Sequence, residues 1–280
     1  MDSSDADLDR ALQFGDEGDW PSMAEHLRVA LEDRPDDPAV LCWLGVAERE
    51  LGMDGIAYER FRSCLAAEPT DANLLATAGN GLARFDDPEA ESVLRSATLM
   101  APDLAYARAM YGAYLAREGM SEAALEELEA AVGLAPEDPE TLTEWGVALA
   151  LAGRLDDAVD AFYRACDADP EDGWARSLAG LTLLTLGRTA DALPDLLHAA
   201  DLRPEDIEIA LVASLAAAVS DEFDRAYELV ERARMRAIPG DGPMVEAVFD
   251  KVEEGAEPSG AFLAEEIVSG AYRERLMTRP

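Results

Sequence analysis

Lysine is almost missing from this 280-residue chain: Lys251 is the only one, so the other 22 of its 23 basic residues are arginine. Both together are outnumbered by 59 aspartates and glutamates, which leaves a formal net charge of −36. A chain so negative repels a polyphosphate, and bare nucleic acid is excluded as a partner. The bias toward arginine is what a GC-rich genome, a high-salt proteome or both produce. Cysteine is scarce too. Cys42, Cys64 and Cys166 are too few and too scattered for a disulfide framework, and they read as small core residues. Histidine is limited to His26 and His198, which lie far apart in the sequence, so a shared metal site is not expected. No apolar run reaches the ~18 residues of a membrane-spanning helix. The acidic start MDSSDADLDR has neither the basic nor the apolar region of a secretory signal. The expectation is a cytoplasmic protein with no membrane insertion. A phosphate-cradling Gly-rich loop, a Cys-x-x-Cys pair, a His-Glu-x-x-His helix and a nucleophile elbow are all missing. Those are the arrangements that bring reactive groups together, so neither catalysis nor a cofactor is expected.

What the chain does have is a period. Forty-nine percent of it is hydrophobic, enough for a core in spite of the charge. Prolines at 35, 69, 102, 136, 170, 204 and 239 step by 34, 33, 34, 34, 34 and 35 residues, a regularity that signals a solenoid. Ten residues after the first five prolines stand Gly45, Gly79, Gly112, Gly146 and Gly180, with Ser214 after the sixth. A small residue there fits two helices crossing closely. Further on come Ala57, Ala90, Ala124, Ala158, Ala192 and Ala226. Each is followed four residues later by a large apolar residue, such as Phe61 or Phe162, and three later again by a small one, such as Cys64 or Ala165. Spacings of four and three put all three on one helical face. Asp37, Asp71, Asp103, Asp138, Asp172 and Asp206 are placed to cap the helices that follow the prolines. Gly52, Gly119, Gly153 and Gly187 read as stops between helices, Asp87-Pro88 as the start of a second helix, and Asp54-Gly55 and Asp241-Gly242 as turns.

These residues resemble the tetratricopeptide repeat (TPR) family, whose motif is a helix-turn-helix of this length with small, aromatic and proline positions in this order. The resemblance implies an all-α, right-handed superhelical solenoid of about seven units: 4–37, 38–71, 72–104, 105–138, 139–172, 173–206 and 207–239. Residues 240–280 carry two more amphipathic stretches, 243–254 and 261–276, separated by Gly255 and Pro258. They are expected to cap the apolar end face that stacking leaves. Arg273, Arg275 and Arg279 either pair with the acidic body or remain solvated.

In TPR proteins the first helix of each unit lines a concave groove. Carried over by register from each proline, that implies Cys42, Val46 and Arg49, then Asn73, Asn80 and Arg84, then Tyr106, Ala113 and Arg117. The later units contribute Thr143, Val147 and Leu151, then Trp174, Leu181 and Leu184, then Leu211, Leu215 and Val219. The first half is polar, basic and small; the second is apolar, and either binds a partner or packs against neighbouring helices or the C-terminal one. Arg49, Arg84 and Arg117 form a row that reads an acidic group or merely balances nearby Glu48, Glu50, Asp86, Asp87 and Glu118. The groove lacks the lysines of the TPR subclass that clamps chaperone tails. The reading is therefore a non-enzymatic scaffold or adaptor that takes a helix or extended peptide of another protein, with basic flanks suited to the acidic exterior. Two alternatives stay open: a self-assembling, homo-oligomeric structural protein, and a dedicated chaperone or regulator of one client.

Overall fold

The computed structural model describes residues 3–278, and all regular structure among them is helical. In chain order the helices are α1 (Ser3–Asp16), α2 (Trp20–Asp33), α3 (Pro38–Glu50), α4 (Asp54–Ala66), α5 (Ala72–Ala83), α6 (Ala90–Met100), α7 (Ala105–Arg117) and α8 (Ser121–Leu134). They continue with α9 (Pro139–Leu151), α10 (Leu155–Ala168), α11 (Gly173–Thr185), α12 (Thr189–Leu202), α13 (Ile207–Val219), α14 (Phe223–Arg236) and α15 (Gly242–Glu254). The last two, α16 (Ala256–Phe262) and α17 (Val268–Met277), run on through a π-helical turn at Leu263–Ile267. The chain is an all-α helical repeat solenoid. It divides into two compact units, Met1–Glu118 with Glu126–Leu134 and Gly119–Leu125 with Ala135–Pro280. In the first, α1 packs on α2, α3 on α4 and α5 on α6; in the second, α9 packs on α10, α11 on α12 and α13 on α14.

The spaced small residues explain how each pair closes. A Cβ placed on Gly45 would stand 2.8 Å from the Phe61 ring, and one on Gly146 2.5 Å from that of Phe162. The crossing is therefore too tight for any side chain. Ser214 holds this position between α13 and α14 because its buried hydroxyl has a use, donating to the Ala226 carbonyl at 2.8 Å. Opposite the glycines, Ala158, Phe162 and Ala165 of α10 are buried together, as are Ala57, Phe61 and Cys64 of α4.

Five of the six aspartates expected as caps do cap. Asp37 accepts from Ala39 N at 3.0 Å, Asp71 from Asn73 N at 2.7 Å, Asp138 from Thr141 N at 2.8 Å, Asp172 from Trp174 N at 2.8 Å and Asp206 from Ile209 N at 3.1 Å. Asp103 does not. The five stand two residues after a proline, whereas Asp103 follows Pro102 directly, so Leu104 takes the cap position of α7 with no side-chain bond. Gly52, Gly119, Gly153 and Gly187 adopt the expected left-handed backbone, and Asp86 and Asp221 adopt it where no glycine stands. Asp54 and Gly55 are not a turn but the first residues of α4. Asp87 precedes α6, which starts at Ala90; it is buried, accepting from Glu89 N at 2.8 Å and Tyr58 Oη at 2.7 Å.

The C-terminal region differs from its sequence pattern in one respect. Pro258 does not separate two helices. It sits in the first turn of α16, where the amide it lacks would have had no intrahelical partner. The break between α15 and α16 is Gly255, whose φ of 113° is open to glycine alone. Beyond it the helix turns back onto earlier helices of its own unit.

Candidate functional site

The first helices of each unit carry the residues that the sequence singles out. In the first unit these are α3, α5 and α7. Arg49, in the last turn of α3, forms an ion pair with its neighbour Glu50 at 2.7 Å. Arg84, just past α5, is exposed and makes neither ion pair nor side-chain hydrogen bond among the described residues. Partial burial, and next the nearby Arg49 cation, hold its guanidinium below the ordinary arginine range. Asn80 is buried on α5, and the Tyr106 hydroxyl on α7 lies 3.4 Å from that of Thr77. Arg117 is buried and donates to the Ala113 carbonyl at 3.2 Å. Arg49 lies near enough to Arg84 to disfavour its charge, while the nearby Asp54 and Glu50 carboxylates favour it. Arg117 belongs to the packing of α7.

In the second unit the first helices are α9, α11 and α13, and their shared face is covered. Leu181, Leu184, Leu211 and Leu215 are buried in one cluster with Leu263, Ile267, Val268, Ala271, Tyr272 and Leu276 of the C-terminal arm. Val147 is buried in the same cluster, and Leu151 packs at its edge. The arm lies with α16 on α13 and α17 on α11 and α9. Trp174 does not face an open groove. Its ring is within reach of two guanidinium groups, Arg203 at 5.6 Å and Arg275 at 5.2 Å from the ring centre.

Two polar contacts fix the arm in register. Thr182 donates its hydroxyl hydrogen to the Leu178 carbonyl at 2.6 Å, so in the 2.9 Å contact between the two hydroxyls Tyr272 is the donor. Burial pushes the Tyr272 phenol up to about 12. Arg275, only 6% exposed, reaches Glu208 Oε2 through Nε at 3.0 Å and Asp206 Oδ1 through Nη2 at 2.8 Å. Asp206 therefore caps α13 and anchors the arm with the same oxygen. Arg273 has no ion pair among the described residues, and Arg279 lies outside them. Sequence reasoning missed Thr182, Asp206 and Glu208 as partners of the arm. Their only trace was the Tyr272 and Arg275 pair, three residues apart on one helical face.

Among the described residues no three His, Cys, Asp or Glu side chains are grouped to hold a metal ion, and no helix is long and apolar enough to cross a membrane. The family model of the tetratricopeptide repeat matches residues 112–173. No curated protein matches the chain. Among solved structures, the chain is similar to one from the APC/C hetero-tetramer Cut9–Hcn1, at 14% identity over 86% of this chain and 48% of that one, with a TM-score of 0.69. A tetratricopeptide repeat protein of Parabacteroides merdae matches at 15% identity over 92% of this chain and 98% of that one, TM-score 0.59. A thermophilic TPR protein of Thermus thermophilus matches at 24% identity over 65% of this chain and 100% of that one, TM-score 0.55. At such identities the likeness is one of fold.

Proposed function

The chain is a tetratricopeptide-repeat protein, and from that premise we propose that it is a non-enzymatic scaffold holding a segment of another protein along the first helices of its N-terminal unit. Arg84 carries the reading. In a chain of net charge −36, a guanidinium with no ion pair among the described residues, standing beside a second one, is an arrangement that folding does not require. Asp54 and Glu50 act on Arg84 only at a distance, and Glu50 is engaged by Arg49, so a further carboxylate suits the planar fork of Arg84. Toward the other end of these first helices the residues are polar, with Asn73 exposed on α5 and the Tyr106 hydroxyl on α7. An extended segment with an aspartate or glutamate for Arg49 and Arg84, and basic residues on either side for the acidic exterior, meets both features. The acidic field then speeds the encounter, while the arginine pair sets the register.

The test is affinity capture from the native host with wild type and with Arg49→Glu/Arg84→Glu, the bound proteins being identified by mass spectrometry. Both arginines lie at the surface ends of their helices, so circular dichroism should report the same fold. The reading predicts a partner whose recovery falls by about tenfold or more with the double variant, the equivalent of 1.4 kcal/mol. Equal recovery overturns it.

A further inference from the structure

The first helices of the second unit already hold a helix, and that helix is the chain's own. Resting on the scaffold reading above, we propose that this face is a second docking surface, for an amphipathic helix of a partner that carries more basic and bulkier residues than the resident arm. The arm marks what the face recognises. Its apolar side meets Leu181, Leu211 and Leu215, its Tyr272 hydroxyl meets Thr182, and its Arg275 meets Asp206, Glu208 and the Trp174 ring. A helix with an aromatic hydroxyl and an arginine three residues apart on its apolar margin satisfies the same groups.

The resident arm is a poor match in two respects, and both describe the better occupant. A cavity of about 340 Å³ remains beside it, bordered by Leu211 and Met244 and by Gly270 and Ala271 of the arm. Larger side chains at those two positions would fill it and bury apolar surface that is now wet. The cavity's rim is acidic on both sides, Glu208 and Asp241 facing Glu266 and Glu274 of the arm itself. Residues 256–278 bring four glutamates and two arginines onto a body that is already negative. A basic helix would replace that repulsion with attraction. The π-helical turn at Leu263–Ile267 interrupts the regular hydrogen bonding of the arm. Ser259 at the start of α16 donates its hydroxyl hydrogen to the Lys251 carbonyl of α15 at 2.9 Å, so the part free to open is the one beyond α16.

The probe is a fluorescent synthetic peptide of residues 261–278 with Glu265→Lys, Glu266→Lys and Glu274→Lys, titrated against the full chain. Wild type should bind it weakly, because the tethered arm competes at an effective concentration near the millimolar range. Arg275→Glu releases the arm and should tighten the probe by about 10- to 100-fold, as the fraction of open chain rises. Gly270→Ala lies in open space and favours the helix, so it should weaken the probe by about threefold to fivefold. Adding Glu208→Lys to Arg275→Glu should abolish the gain.

Hydrogen exchange on wild type gives a readout independent of any variant. Amides of residues 263–277 should exchange faster than those of α13, and faster again with the probe present. If Arg275→Glu stays folded and binds no better, or if the arm is as protected as α13 and indifferent to the probe, the arm is a fixed part of the fold and the inference fails. An arm that exchanges between two copies, seen as a dimer with or without probe, also overturns it. None of these outcomes touches Arg49 and Arg84, so loss of the scaffold reading would register separately, in the capture experiment.

Discussion

Asp103 and Asp172 look alike in sequence, each an acid just after a repeat proline, and they separate at the level of single bonds. Asp172 accepts from Trp174 N at 2.8 Å and Ala175 N at 3.2 Å, whereas Asp103 caps nothing. Asp172→Ala should therefore cost about 1 kcal/mol of stability and Asp103→Ala almost none. Paired denaturant melts check the difference. Gly146 gives a second case. Alanine favours a helix by about 1 kcal/mol over glycine, but its methyl would stand 2.5 Å from the Phe162 ring. Gly146→Ala should thus destabilise by about 1–3 kcal/mol through overpacking, read from the same melts. The helix faces were legible residue by residue because burial follows period. Ala158, Phe162 and Ala165 needed only spacings of four and three. The cap at Asp103 was not, since the acid stands one residue short of the cap position, which Leu104 occupies. Nor were the left-handed Asp86 and Asp221, where aspartate does the work that glycine announces elsewhere.

At the scale of the element, the C-terminal arm was legible as helix and not as an occupant. Its apolar stripe was visible in residues 261–276, but amphipathicity says that a face is covered and not by what. Pro258 was misleading, because the same residue that breaks a helix interior is at home in a first turn. The arm's position makes it pH-dependent through Tyr272. The folded phenol titrates at about 12, above the ordinary value near 10. A raised pKa contributes stability that is fully present below pH ~10 and is lost as pH rises through the folded value. About 2–3 kcal/mol of arm docking should disappear between pH 10 and 12. Tyr272→Phe should flatten that window, and ultraviolet titration of the phenolates against hydrogen exchange of residues 263–277 would show it. An arm whose protection is unchanged at pH 12 would contradict the assignment.

The whole molecule is governed by its charge. With 59 acids and 23 bases, self-repulsion opposes compactness at low ionic strength, and salt screens it over about 8–10 Å. Thermal stability should rise by several degrees between low and molar KCl, and coincident melts would contradict this. The repeat made the solenoid legible at this scale: six proline steps repeat too closely for accident. Which faces are open was not legible, because that depends on where the chain places its own last helices.

The most direct test of the account is to ask which surface a partner touches. A photo-crosslinking p-benzoylphenylalanine placed at Asn73, exposed on α5, samples the first-helix face of the N-terminal unit; at His198, exposed on α12, it samples a second helix. The account predicts that irradiation in the native host yields a discrete crosslinked partner from position 73, lost with Arg49→Glu/Arg84→Glu, and none from position 198. The same partner crosslinked from position 198 and not from 73 would contradict it.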